Sequence, residues 1–259
     1  MGHKGISMMN NANQISRQTK LFGFIGEEAG VSRFSAVLNK IFKENNDDVM
    51  MIPMNIRADD LYFTLTNMKQ SHVNGAIISS EFVAEILDTL DESSTMVKKC
   101  GMCDIVFKEG DKLKGDLFSI RVLTEHLKDI MASKVAIIGT NPYAKAFGFL
   151  SCGFNVSYFN ENLEELMKFT QDAELIDADI NRIAKGMSID LSSFDVVLDF
   201  SDFNSLEMIE KLPANCLDMK NKKQFSALKN RALELHANYT SYDDIIEKLA
   251  KKAYVEIVR

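Results

Sequence analysis

The sequence is short of the residues that make tight backbone turns. It carries 13 glycines and 3 prolines in 259 residues, and glycine at about 5% falls below the average usage of ~7%. It has no tryptophan and only 4 cysteines, too few for a disulfide scaffold. A basic excess is also missing: 30 Lys and Arg stand against 37 Asp and Glu, a net charge of −7. Nucleic acid demands a basic stripe for its phosphates, so it is not an expected partner. No apolar run approaches the ~18 residues of a membrane span. The first twenty residues, MGHKGISMMNNANQISRQTK, lack the continuous apolar stretch of a secretory signal. Residues 1–19 read as a disordered polar leader, and the protein as cytoplasmic with no membrane partner.

What is present is 46% hydrophobic, ample for the core of one large or two ordinary domains. Short apolar runs alternate with helical periodicity. Residues 21–25 (LFGFI), 49–54, 76–79 and 104–107 read as strands. Phe34, Val37, Leu38, Ile41 and Phe42 recur at amphipathic-helix spacing. Leu61, Leu65 and Met68 mark a second helix, and Val83, Ile86, Leu87 and Leu90 predict a third. Glu109-Gly110-Asp111 is a hairpin turn between 104–107 and 112–115. A helix with Ile120, Leu123, Leu127 and Ile130 leads to a second series. There, strands at 135–138, 155–159, 195–200 and 216–219 are each expected to precede a helix, and the last helix carries Ile245, Ile246, Leu249 and Ala253. Such alternation implies an α/β fold with parallel sheets.

Residues 135–144 (VAIIGTNPYA) have the strand–turn–helix form in which a dinucleotide fold keeps G-x-G-x-x-G. Only Gly139 survives. Asn141 tolerates a left-handed turn, Pro142 suits the first helical position, and Tyr143 adds bulk where phosphate would pass. The next strand ends in Asn160-Glu161, where an acid accepts the ribose 2′-hydroxyl and repels a 2′-phosphate. A bound nucleotide would therefore be NAD rather than NADP, facing Gly139, Thr140, Asn141, Asn160, Glu161 and Ser201.

Cys100-Gly101-Met102-Cys103 is an isolated C-x-x-C with no second ligand pair, so it reads as small apolar residues leading into a strand. His72 reads as a loop residue, His126 as part of a solvated helix face, and His236 as a helix-end cation. Asp199, Ser201 and Asp202 follow a strand at the end where α/β ligands sit, and two acids there suit a hydroxylated or cationic ligand better than phosphate. The 14 methionines read as core filler.

From residue 20 to 258 the layout resembles the shikimate dehydrogenase family. The resemblance lies in Leu21-Phe22-Gly23-Phe24-Ile25-Gly26, Gly75-Ala76-Ile77-Ile78-Ser79, Gly101 to Phe107, Gly110 to Gly115, Asp195-Val196-Val197-Leu198 and Leu217-Asp218-Met219. It implies two domains: an N-terminal α/β substrate domain with a mainly parallel sheet at 20–118, with helix 242–258 packing back on it, and a Rossmann-like doubly wound domain at 119–241. It also implies an interdomain cleft holding a small molecule, with NADP as the family's cofactor, and by the same resemblance Ser32, Ser79, Asp104 and Ser119 would line the substrate pocket.

The family's catalytic pattern departs at each key point. Its second substrate-holding serine falls on Phe34, its catalytic lysine on Val83 and that lysine's aspartate partner on Ser119. Its late glutamine falls near Leu249, a nicotinamide-site glycine near Tyr242, and its N-R-T phosphate clamp on Asn160-Glu161-Asn162. Part of the glycine shortfall thus lies at Asn141, Pro142 and Tyr242. Hydride transfer to a carbonyl needs a proton donor for the developing alkoxide, and Val83 cannot supply one. The expectation is a family relative with degraded catalytic and NADP sites that binds a different small molecule or partner. The alternative is a divergent NAD(P)-dependent oxidoreductase acting on a hydroxylated cyclic acid or related substrate. A third reading is a structural subunit that pairs with an active relative, and the oligomers expected are a homodimer or a hetero-oligomer.

Overall fold

The computed structural model describes residues 18–175 and 178–259; residues 1–17 of the expected leader lie outside this description. Two six-stranded sheets organise the chain. The first is built by β1 (Lys20–Gly26), α1 (Phe34–Glu44), β2 (Val49–Asn55), α2 (Ala58–Met68), β3 (Val73–Ile78), β4 (Glu92–Ser93), α3 (Thr95–Cys100), β5 (Ile105–Glu109) and β6 (Lys112–Asp116). Its order is β2-β1-β3-β5-β6-β4. The pairs β1/β2, β1/β3 and β4/β6 are parallel, while β5 runs antiparallel to β3 and β6. The hairpin at Gly110 forms as expected, with Gly110 at φ +65°.

The helix expected through Val83, Ile86, Leu87 and Leu90 is absent. Turns follow Ser79, and one short 3₁₀ segment covers Glu85–Thr89. The Phe82 N–H donates to the Ser79 carbonyl and the Thr89 hydroxyl to the Ile86 carbonyl. The apolar residues are buried all the same, since a tight turn can point the same side chains inward as a helix face would.

The helix α4 (Ser119–Asp129) leads to the second sheet. That sheet comprises β7 (Lys134–Ile138), α5 (Pro142–Leu150), β8 (Asn155–Asn160), α6 (Leu163–Asp172), β9 (Asp179–Arg182), β10 (Ile189–Asp190), β11 (Val196–Asp199), β12 (Ile209–Lys211), β13 (Asn215–Asp218), α7 (Ala227–Glu234) and β14 (Asn238–Thr240), of which β10 and β12 form a separate pair. Its order, β14-β13-β11-β7-β8-β9, is parallel throughout. This is the doubly wound dinucleotide-type order, whose reversal between β7 and β11 opens a ligand crevice at the strands' C-terminal ends. The helix expected after residues 195–200 is replaced by a loop and β12. The run 201–208 (SDFNSLEM) offers a single buried apolar anchor, Leu206, rather than a helical stripe.

The last helix, α8 (Ile246–Val258), returns to the first sheet and packs on α1, where Phe42 and Tyr254 bring their rings to 5.8 Å. One continuous hydrophobic core joins the inner faces of both sheets, and a second covers the far face of the β7–β14 sheet. His126 is half-buried against Lys248 rather than on a solvated face, and burial lowers its pKa.

Candidate functional site

Gly139 follows β7 at φ +98°, a conformation L side chains rarely adopt. Its N–H donates to the Phe159 carbonyl. A Cβ there would lie 2.8 Å from the backbone of Phe200 and Ser201, so the glycine is required by the close approach of the β11 loop. Asn141 caps α5, its side-chain oxygen accepting from the Ala144 N–H at 3.1 Å with Pro142 at the first turn. The turn where phosphate would sit is already used: the Thr140 hydroxyl donates to Glu165. Tyr143, on the first turn of α5, is buried and stacks on Phe200 with ring centroids 5.9 Å apart.

The nucleotide-facing residues divide into two places. Asn160 and Glu161 line an open outer groove of about 640 Å³ with Glu164, Glu165 and Arg182. Three carboxylates against one guanidinium make it a poor phosphate cradle. Asn160 is buried and its Nδ2 has no partner. Asn141 and Ser201 instead line an inner cavity of about 240 Å³ at the β7/β11 switch point, with Tyr143, Asp199, Asp202 and Lys220. Asp199 is 1% exposed. Its Oδ1 accepts from the N–H and hydroxyl of Ser201 at 2.9 and 2.6 Å, and its Oδ2 has no partner. Burial raises its pKa to about 6, against the pull of Ser201 and Lys220.

The substrate-side residues divide likewise. Ser32 and Ser79 share a cavity of about 30 Å³ with Glu28, Glu81, Met219 and Tyr242, room for a water or two. Glu81 accepts from the Ser79 hydroxyl at 2.6 Å and from the Glu27 N–H at 3.0 Å. Asp104 and Ser119 lie together in the core, outside that cavity's wall. The Asp104 carboxylate accepts from Phe118 N–H at 2.8 Å, Ser119 N–H at 2.9 Å and the Ser119 hydroxyl. Burial raises Asp104 to about 6, while its bonds to Ser119 and Phe118 pull it down. The Tyr143 phenol is raised well above its usual range, first by burial and then by Asp104, and Ser119 is a hydrogen-bonding neighbour. Tyr242 is raised too, by burial and then by Tyr143 and Asp104. Val83 is buried. The cysteine pair is inert: Cys100 ends α3 before the left-handed Gly101, and burial raises its thiol to about 11.

Sequence reasoning missed Glu165, which sits on α6 among other acids with no signal that it would reach Thr140. It missed Lys220 as well, whose Nζ donates to the Ser201 carbonyl at 3.1 Å.

A doubly wound sheet with its crevice at Gly139, together with a second α/β sheet, defines a two-domain α/β fold with a Rossmann-like half. No family model matches the chain. The shikimate dehydrogenase (NADP(+)) of Dictyoglomus thermophilum is 26% identical over 173 residues, which span 62% of this chain and 63% of that protein; the match thus covers less than two thirds of the relative's length. The shikimate dehydrogenase (NADP(+)) of Clostridium perfringens is 25% identical over 223 residues, 73% of this chain and 80% of that one. A solved shikimate dehydrogenase in complex with NADP+ superposes with TM-score 0.73 at 17% identity, covering 94% of this chain and 92% of that one. In sequence the chain is thus similar to shikimate dehydrogenases, and in fold to their solved structures.

Proposed function

We propose that this protein keeps the two-domain architecture of its relatives but binds a different small molecule in the cleft, with hydride transfer to 3-dehydroshikimate given up. The observation that carries this is the Ser32–Ser79 cavity, about 30 Å³ and edged by Glu28 and Glu81. Ligand sites are usually 300–1,000 Å³, and two carboxylates repel a carboxylated ring. The cofactor side agrees, since residues around the phosphate turn do not fit a pyrophosphate: Glu165 occupies Thr140 and acids dominate the outer groove. Val83, buried and aliphatic, offers no proton where the family pattern has lysine. We take residues 20–118 with 242–258, and 119–241, as the two units. The protein acts in the cytoplasm; no described helix is long and apolar enough to cross a membrane.

A divergent oxidoreductase is the second reading, favoured by one observation. Asp104, near pKa 6 and beside Ser119 and Tyr143, is a buried acid in the range suited to proton transfer. The relatives are named for NADP, whereas Glu161 in this chain favours NAD if either enters. Thermal melting with millimolar NAD, NADP and shikimate separates the readings. The first expects no shift with any of them; a saturable nucleotide shift defeats it.

A further inference from the structure

We propose that Tyr143 is an internal plug, its ring filling the place in the cleft where a ligand ring would reach Ser119 and Asp104. The proposal rests on the reading that hydride transfer has been given up, and supplies a physical cause for it. Tyr143 is 6% exposed on the first turn of α5, and it lines the inner cavity but not the outer groove. Phe200 stacks on its ring, with centroids 5.9 Å apart and planes at 18°. Ser119 is a hydrogen-bonding neighbour of the phenol, which burial, then Asp104 and then Glu81 push far above its ordinary range. Ser119 and Asp104 line neither the inner cavity nor the small one beside it. Tyr143 is thus the side chain shared by the cavity wall and the buried pair.

An ordinary core position gains nothing from a buried hydroxyl, and phenylalanine or leucine would fill it without a polar group to satisfy. The hydroxyl fits a place built to receive one from a ligand. The Ser119 hydroxyl donates to Asp104, which leaves its oxygen able to accept from a phenol. A hydroxylated ring, stacked on an aromatic face and set against that acceptor, has the contacts of a bound phenol. By the resemblance of the sequence, Ser119 and Asp104 are substrate-pocket positions, so the chain occupies its own site. Charge sets the class of ring that would replace it. Glu81 lines both cavities and repels a carboxylated ring, which leaves a neutral, hydroxylated one. The inner cavity, about 240 Å³, adjoins the plug and has room for a short substituent. The ligand class is therefore a neutral 4-substituted phenol.

The test is thermal melting and calorimetric titration of the full chain as the parent, Tyr143→Phe and Tyr143→Ala. The probes are 4-methylphenol, which is the tyrosine side chain itself, 4-(2-hydroxyethyl)phenol and 1,4-dimethylbenzene, with NAD and NADP added to the parent. Emptied apolar space of roughly 150 Å³ holds a benzene ring, so Tyr143→Ala should bind 4-methylphenol saturably and melt higher with it. The parent and Tyr143→Phe, both plugged, should bind none. The hydroxyethyl compound should bind Tyr143→Ala as well, because its arm can extend into the adjoining cavity; a sealed core void would reject it. Adding Ser119→Ala to Tyr143→Ala should weaken 4-methylphenol about three- to tenfold, the scale of one buried hydrogen bond, and leave 1,4-dimethylbenzene unchanged. Should Tyr143→Ala not fold, Tyr143→Leu opens part of the same space and should bind 4-methylphenol more weakly. A folded small variant that binds no 4-methylphenol, rejection of the hydroxyethyl compound, or indifference to Ser119→Ala overturns the plug and leaves the lost-hydride reading standing. Saturable nucleotide binding with hydride transfer by the parent removes both.

Discussion

Replacing Asp199 with asparagine should stabilise the protein at pH 7.5, although the residue is buried and hydrogen-bonded. The carboxyl rises from 3.8 to about 6 on folding, chiefly through burial. An acid with a raised folded pKa binds more protons folded than unfolded, so stability falls as pH climbs from 3.8 to 6 and the full cost stands above that. At pH 7.5 this cost is about 3 kcal/mol. Asparagine keeps the oxygen that accepts from Ser201 and sets its amide where Oδ2 has no partner, which costs about 1–2 kcal/mol for the unpaired donor. The net gain is about 1–2 kcal/mol, or roughly 2–8 °C in Tm for a chain of this size. Urea unfolding at pH 5, 6 and 7.5 measures it. The parent should lose stability across this range, with Asp104, also raised to about 6, contributing in the same direction. His126, lowered by burial, opposes the trend in both chains and cancels in their difference. The variant should show a shallower pH slope than the parent, by the Asp199 share. A variant less stable than the parent at pH 7.5, or one with an unchanged slope, would refute the assignment of Asp199 as a charged group held at a cost.

Gly139→Ala should destabilise by more than about 2 kcal/mol, read as a fall in urea midpoint, because the new Cβ meets the Phe200 backbone at 2.8 Å while φ is +98°; a loss below 0.5 kcal/mol would contradict that packing. On the second, oxidoreductase reading, Glu165→Gln should tighten nucleotide binding by about fivefold at most, the worth of one exposed charge near ~4 Å in water; an unchanged thermal shift with NAD would refute Glu165 as the guard of the turn. Of the four thiols, exposed Cys152 alone should react quickly with an aromatic disulfide reagent, since Cys100, Cys103 and Cys216 are buried with raised pKa values; two fast thiols would contradict the described burial.

The sheet-forming frame was legible because its signals are local. The apolar stripe of α1, the run of β7 and the Glu109-Gly110-Asp111 turn each reach their place by a pattern within a dozen residues. The segments that misled had the right burial but the wrong backbone: Ile86 and Leu87 pack inward from a 3₁₀ turn as they would from a helix. The short strands β9, β10, β12 and β14 were not visible, since two to four residues give no periodicity. Within the site, the acids after β11 could be picked out from their place at a strand end. That Asp199 keeps one oxygen unpaired, or that Glu165 reaches back 25 positions to Thr140, depends on contacts across elements that spacing does not encode. Asp104 and Ser119 were expected in a pocket wall, and the fold instead buries them as one hydrogen-bonded pair.

The claim that hydride chemistry has been given up meets its most direct test in absorbance at 340 nm, with the purified chain, 3-dehydroshikimate and either NADPH or NADH. The account predicts no enzyme-dependent oxidation of either cofactor above the rate of the uncatalysed mixture. Oxidation that scales with protein concentration and saturates with 3-dehydroshikimate would contradict it, and would return Asp104 and Tyr143 to consideration as the proton-handling groups.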